Sequence, residues 1–180
     1  MKSVEEQLSR YKSVHFNKKN IQTHFIGVPL IIWAVTLLMS LSSFDIHLLG
    51  LTIKVTAAKV FFTLAILYYF KLHWRLAIGM LLYIIPNIYI AEKMAHMDNA
   101  YVLAIIIFII GWIIQFIGHY FEKAKPAFVD DLSQFLIGPL FLMAEVYFAI
   151  GWEKELLEKI APLARDKRRE LEANKRAVNV

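Results

Sequence analysis

The 180-residue sequence contains no cysteine, which excludes a disulfide framework and any metal site built from thiolates. Charged residues make up only 19% of the chain, whereas hydrophobic residues make up 58%. The first 24 residues carry charges of both signs, and no small-residue cleavage site follows a short apolar core. We therefore do not expect a cleaved signal peptide. This composition is typical of a polytopic membrane protein rather than of a soluble domain.

Long runs without charge predict the membrane helices. Four of these runs cover residues 25–44, 55–70, 76–91 and 101–118, and only Lys59 interrupts them. A fifth apolar run covers residues 132–152, but Gly138-Pro139 cuts it and Glu145 lies within it. The sequence thus predicts an all-α membrane helical bundle with about four transmembrane helices and a broken fifth segment, either re-entrant or interfacial.

The distribution of positive charge predicts the topology. The net charge is +5, and lysine and arginine concentrate at the two ends of the chain. By the positive-inside rule both termini are predicted to be cytoplasmic, in a bacterial inner membrane or an endoplasmic reticulum membrane. Basic ends of this kind reflect topology and contact with membrane lipid more often than nucleic-acid binding.

We expect one integral-membrane domain over residues 1–180. Within it, residues 1–24 would form a cytoplasmic helix with a histidine motif, residues 25–152 the membrane helices, and residues 153–180 a charged cytoplasmic tail that is solvated or lies on headgroups.

The end of the fourth run places three polar side chains on one helix face. Gln115, His119 and Glu122 stand at i, i+4 and i+7, so a continuing helix aligns them. An amide, an imidazole and a carboxylate are costly to bury at a membrane edge and are suited to holding a metal ion. This face is the first candidate metal site.

A second histidine motif precedes the first run. Asn20 and His24 are one helical turn apart, whereas His15 and His24 lie about 180° apart on a straight helix. The two histidines could share an ion only if the chain breaks between them, and the polar residues 17–20 are where we expect that break. The spacing permits His15, His24 and His119 to converge but does not require it.

Residue chemistry alone leaves the metal open. Imidazole ligands suit iron, zinc, copper and nickel, and open positions are typical of both non-haem iron oxygenases and catalytic zinc. His73 is the first candidate for a fourth ligand, although its neighbours Lys71 and Arg75 make an interfacial position the more usual interpretation.

The two motifs resemble those of a known family. They read His15-x4-Asn20-x3-His24-x2-Gly27-x-Pro29 and Gln115-Phe-x-Gly118-His119-x2-Glu122-Lys-x2-Pro126-Ala127. They are similar to the motifs of the Mpo1-like family. This family consists of small multi-span membrane proteins and includes a 2-hydroxy-palmitic acid dioxygenase. The resemblance implies an Fe(2+)-dependent dioxygenase that shortens a 2-hydroxy fatty acid by one carbon, as in fatty acid α-oxidation, with dioxygen as co-substrate.

Carried over by motif, the resemblance also implies residue roles. His15, His24 and His119 would hold the metal and, with Glu122, form the catalytic site. Asn20, Gln115 and Glu122 would be ligands or would support the ligands. Three cations, Lys123, Lys125 and Arg75, are candidates for steering the substrate carboxylate.

Two other functions fit the same residues. One is a zinc-dependent membrane lipid hydrolase that uses the same histidines. The other is a non-enzymatic membrane protein that binds lipid or a protein partner, with structural histidines. Consumption of dioxygen separates the dioxygenase from both alternatives.

Overall fold

The computed structural model describes residues 2–48, 50–129 and 131–178, which form seven α-helices and one β-hairpin. The helices are α1 Val4–Lys12, α2 Lys18–Ser40, α3 Ala57–Leu72, α4 Trp74–Met94, α5 Ala100–Glu122, α6 Gln134–Ala149 and α7 Lys154–Val178. The antiparallel hairpin pairs β1 Ser43–Leu48 with β2 Leu51–Thr56, and a short 3-10 helix covers Ala127–Val129. The predicted all-α class is confirmed.

Among the described residues, three helices are long and apolar enough to cross a membrane, namely α2, α4 and α5. The second predicted run instead forms α3, whose 16 residues extend about 24 Å against a hydrocarbon core of about 30 Å. Helix α3 begins late because the preceding residues pair as β2, and Thr56 then caps the helix by accepting a hydrogen bond from the Lys59 amide. Three helices rather than four therefore reach full spanning length.

The predicted break at Gly138-Pro139 is wrong, because α6 continues through both residues. An interior proline removes one backbone hydrogen bond and costs about 3 kcal/mol. Against this cost, Ile137, Leu140 and Phe141 are fully buried, and each such side chain contributes about 1.5–3 kcal/mol. Burial outweighs the proline, and the helix stays continuous.

The chain divides into two compact units. One unit combines residues 1–25 with residues 116–180, and the other covers residues 26–115. In the second unit, α3 packs against α4, and the ends of the spans meet in a cluster of Leu37, Ala91, Ala100 and Ala104. This cluster places the end of α2, the end of α4 and the start of α5 side by side.

In the first unit, α1 packs against both α6 and α7. The charged tail predicted over residues 153–180 forms α7, which buries Leu156, Ile160 and Ala164. These residues recur every four positions and form one apolar stripe along an otherwise charged helix. The first unit therefore includes the C-terminal helix as part of its core.

Candidate metal centre

Three histidines from different parts of the first unit come together. His15 lies between α1 and α2, His24 lies in the second turn of α2, and His119 lies in the last turn of α5. All three are buried, and one ligand nitrogen from each lies within 4.8 Å of the others. Within the described ranges, this is the only group of three or more histidine or carboxylate side chains close enough to share an ion.

A break in the N-terminal helix makes this convergence possible. Helix α1 ends at Lys12 and α2 begins at Lys18, so His15 lies in non-helical chain. The Asn17 side chain accepts a hydrogen bond from the Lys19 amide at 2.9 Å, which fixes the start of α2. The predicted break is confirmed, although it covers residues 13–17 rather than 17–20.

Backbone carbonyls fix the tautomers of two histidines. Nδ1 of His15 lies 2.6 Å from the Tyr11 carbonyl oxygen, and Nδ1 of His24 lies 2.8 Å from the Asn20 carbonyl oxygen. A carbonyl oxygen can only accept, so both Nδ1 atoms carry a proton and donate it. In each neutral ring, Nε2 is then unprotonated and free to act as a ligand.

The two unprotonated nitrogens face each other. Nε2 of His15 and Nε2 of His24 are 3.0 Å apart, and two lone pairs at this distance repel. Either a proton on one ring or a metal ion between the rings would remove the repulsion. Burial lowers the pKa of His15 well below its ordinary value, and the neighbouring His24 and His119 lower it further. Since protonation of His15 is disfavoured, a metal ion is the better match.

His119 closes the cluster on its third side. The three ring centroids are 4.5 to 5.0 Å apart, and the ring planes meet at 71° to 82°. Nδ1 of His119 is buried and has no hydrogen-bond partner in the described part of the chain. An unpartnered buried nitrogen costs about 1–3 kcal/mol, which coordination to an ion would offset.

The donor set fits a transition metal. Two imidazole nitrogens that each lie about 2.1 Å from one ion are roughly 3.0 Å apart when they meet it at a right angle. This is the separation of the two Nε2 atoms. Three imidazoles suit iron, zinc, copper or nickel and leave coordination positions open for substrates.

Tyr11 holds the His15 ring in place beyond its carbonyl hydrogen bond. The two rings stack with centroids 4.1 Å apart and planes 3° from parallel. Phe141 of α6 covers both rings, with centroids 4.9 Å from Tyr11 and 5.7 Å from His15. Gly138 leaves the space for this packing, since a Cβ there would approach the Tyr11 hydroxyl to 2.9 Å. Helix α6 therefore supports the histidine cluster from behind.

Glu122 is fully occupied by protein donors. Its side chain is 2% exposed, and its two oxygens accept four hydrogen bonds. The donors are the backbone amides of Phe16 and Asn17 and the side chains of Asn20 and Arg168. A carboxylate has about four lone-pair sites. The geometry therefore favours Glu122 as the group that fixes the chain around His15 rather than as a metal ligand.

Arg168 is a functional candidate that the sequence prediction missed. Its guanidinium donates to the Glu122 carboxylate at 3.1 Å, to the Glu122 carbonyl at 3.3 Å and to the Ser13 carbonyl at 3.3 Å. Helix α7 thus contacts one end of the segment that carries His15 directly, and it contacts the other end through Glu122. The available signal was the apolar stripe of α7, which places Arg168 one turn after the buried Ala164.

Close approach of α5 to α2 depends on Gly118. A Cβ at this position would overlap the Thr23 hydroxyl and would lie 2.5 Å from the Asn20 side-chain oxygen. That oxygen is buried and has no hydrogen-bond partner among the described residues, while the Asn20 amide donates to Val14 and Glu122. Gly118 and Asn20 thus bring the two histidine-bearing helices together.

The remaining predicted site residues lie elsewhere. Gln115 is buried one turn before His119 on α5, and its amide fills the space beside Gly27. His73 belongs to the second unit, where its Nδ1 accepts a hydrogen bond from the Leu76 amide at the start of α4. It is not part of the three-histidine group. Arg75 also lies in the second unit, over the ring of Trp74.

Lys123 and Lys125 follow α5 in the chain. Lys123 ends the helix with a φ of 55°, and its carbonyl accepts a hydrogen bond from the Lys175 ammonium at 2.9 Å. The Lys123 and Lys125 side chains are exposed. Both cations are thus within a few residues of His119 along the chain.

Comparison with known proteins agrees with the motifs. A family model described as "2-hydroxy-palmitic acid dioxygenase Mpo1-like" matches residues 1–150. The chain is 32% identical over 157 residues to the 2-hydroxy-palmitic acid dioxygenase MPO1 of Saccharomyces cerevisiae, an alignment that covers 85% of this chain and 84% of the yeast protein. No solved structure matches the chain. The family match over residues 1–150 includes all three clustered histidines, and the chain therefore belongs to the Mpo1-like family.

Proposed function

We propose that this protein is an iron(II)-dependent membrane dioxygenase that shortens 2-hydroxy fatty acids by one carbon. The observation that carries the proposal is the pair of unprotonated Nε2 atoms of His15 and His24, 3.0 Å apart and buried beside His119. The named activity of the yeast relative supplies the substrate class. Bound iron(II) would supply the one-electron chemistry that lets dioxygen react with an organic substrate.

The residues have separate roles in this proposal. His15, His24 and His119 hold the metal, while the Tyr11 and Asn20 carbonyls keep two of the rings in the tautomer that exposes Nε2. Tyr11 and Phe141 exclude water from one side of His15. Glu122, Asn20 and Gln115 support the metal ligands from α2 and α5, without direct metal contact.

Substrate binding rests on the membrane setting. An acyl chain that lies against apolar helices gains about 0.8 kcal/mol for each buried methylene. We propose that Lys123 or Lys125, which lie in the same unit as the histidine cluster, attracts the carboxylate. We also propose that both termini and the histidine cluster are cytoplasmic, because His24 and His119 lie at the ends of their helices that adjoin the Lys-rich segments.

The proposed reaction has a defined stoichiometry. One 2-hydroxy acid and one dioxygen give a fatty acid with one carbon fewer, one carbon dioxide and one water. The C1–C2 bond breaks, the hydroxyl carbon is oxidised to the new carboxyl carbon, and both atoms of dioxygen are reduced. The expected result is equal amounts of dioxygen consumed, carbon dioxide released and shortened acid formed.

The test uses the detergent-purified full chain loaded with iron(II) under anaerobic conditions. Oxygen uptake and product mass are followed with 2-hydroxypalmitate, with palmitate as the matched control that lacks the hydroxyl. Uptake with the hydroxy acid alone supports the proposal. A lipid ester is tested in parallel with zinc-loaded protein, since a free acid has no bond for a hydrolase to cleave. Zinc-dependent hydrolysis of the ester without dioxygen would instead identify a lipid hydrolase, and no turnover of either substrate would favour a binding protein.

A further inference from the structure

The β1–β2 hairpin, which the proposed reaction does not use, separates its side chains by polarity. Phe44, Ile46, Leu51, Ile53 and Val55 lie on one face, since alternate residues of a strand point to the same side and the register pairs Phe44 with Val55 and Ile46 with Ile53. The opposite face carries only polar residues, namely Ser43, Asp45, His47, Thr52, Lys54 and Thr56.

The protein itself does not cover the apolar face. Phe44, Ile46, Leu51 and Ile53 are between 43% and 66% exposed. On the polar face, by contrast, polar side chains of one strand stand opposite polar side chains of the other strand. Asp45 stands opposite Lys54, and Nδ1 of His47 lies 3.0 Å from the Thr52 hydroxyl oxygen. An exposed apolar surface of this kind marks a site that contacts a membrane, a ligand or another protein.

The hairpin is fixed at the level where the membrane spans end. Its last residue, Thr56, donates a hydrogen bond to the Glu92 carboxylate at 2.8 Å, and Lys59 pairs with the same carboxylate at 2.8 Å. Glu92 lies two residues before the end of α4. At the other end, only Leu41 and Ser42 separate β1 from the end of α2. Since α2 and α4 are candidate spans, the hairpin lies at a bilayer surface.

Backbone hydrogen bonding determines how deep the hairpin can lie. A two-stranded sheet leaves the outer edge of each strand without a strand partner. Open sheet edges do not occur in the hydrocarbon region, because nothing there can satisfy their amides and carbonyls. Water and headgroups can satisfy them. An interfacial position meets this need and still allows one face to contact acyl chains.

We propose that the β1–β2 hairpin is a membrane-surface element that lies flat in the headgroup region, with its apolar face on lipid and its polar face in water. The occupant of the apolar face is the bilayer in which α2 and α4 are inserted. This proposal does not depend on the metal or on the reaction.

The absence of native cysteine makes a direct test possible. Single cysteines are introduced as Ile46→Cys and Ile53→Cys on the apolar face, with Thr52→Cys and Lys54→Cys as matched controls on the polar face. Each is labelled with a nitroxide in the full chain, in phosphatidylcholine nanodiscs. Relaxation of the nitroxide is measured with oxygen, which concentrates in the bilayer, and with chromium oxalate, which stays in water.

The proposal expects a ratio of oxygen to chromium oxalate collisions that is several-fold higher at Ile46 and Ile53 than at Thr52 and Lys54. Equal ratios on the two faces would overturn it, because the hairpin would then be in water. Low accessibility to both reagents at Ile46 and Ile53 would also overturn it, and would identify a protein partner or a second copy of the chain. If Ile46→Cys does not fold, Ile53→Cys reports on the same face.

Discussion

His24→Leu is expected to abolish dioxygenase activity and metal-dependent stabilisation while leaving the metal-free protein folded. In the metal-free protein the Nε2 atoms of His15 and His24 repel across 3.0 Å, so leucine removes an unfavourable interaction. The variant loses one hydrogen bond to the Asn20 carbonyl, worth about 1 kcal/mol. We expect these two effects nearly to cancel in the free energy of unfolding.

Iron(II) should stabilise the wild-type protein but not the His24→Leu variant. A ligand that binds only the folded state at about a hundred times its Kd stabilises by about 2.7 kcal/mol. Anaerobic thermal unfolding in detergent should therefore show a higher Tm for the wild type with iron and no change for His24→Leu. A structural histidine would give the opposite pattern, in which His24→Leu destabilises the metal-free protein and iron changes neither Tm.

Arg168→Met should strongly destabilise the protein, although the change lies in the charged C-terminal helix. The Glu122 side chain is 2% exposed, and it would lose its one ionic partner while remaining buried. Breaking a buried ion pair by removal of one partner costs about 3–5 kcal/mol. Because Arg168 is 23% exposed and Glu122 keeps three other donors, we expect a loss of about 3 kcal/mol.

The neighbouring Arg169 supplies a matched control. Its side chain is 79% exposed and pairs with Asp166 at the surface, so Arg169→Met should change stability by less than about 0.5 kcal/mol. Denaturant unfolding measures both variants, and a double-mutant cycle with Glu122→Gln isolates the coupling between Arg168 and Glu122. Equal losses in Arg168→Met and Arg169→Met, or additive effects in the cycle, would contradict this role of Arg168.

Iron affinity should also differ between Arg168→Met and Arg169→Met. Arg168 also donates to the Ser13 carbonyl, two residues before His15. Loss of this contact should loosen the segment that positions His15, so Arg168→Met should bind iron more weakly than Arg169→Met. The family match ends at residue 150 and therefore does not include Arg168.

Local spacing predicted much of the candidate site. The i, i+4 and i+7 positions of Gln115, His119 and Glu122 do lie on one helix. The chain also breaks before His24 as predicted, although at residues 13–17 rather than 17–20. What spacing could not give is the approach of α5 to α2, because that depends on the packing around Gly118. The convergence of the histidines is a tertiary property.

Two segments contain structure that long apolar runs do not reveal. Residues 43–56 alternate between polar and apolar side chains, which indicates strands, and the charged or polar residue at every second position keeps them from forming a continuous apolar run. The tail over residues 153–180 is highly charged, and its stripe of Leu156, Ile160 and Ala164 was overlooked. In both segments the periodicity was the informative signal and the composition was not.

Iron content per chain tests the central claim most directly. The full chain is purified anaerobically with iron supplied, together with His15→Ala, His24→Ala and His119→Ala. His47→Ala and His96→Ala serve as controls, because both side chains are exposed in the second unit. We predict about one iron per chain in the wild type and in both controls, as expected for one site with three imidazole ligands, and a near-complete loss in each of the three cluster variants. Wild-type protein without iron, or cluster variants that keep it, would contradict a metal centre at these three histidines.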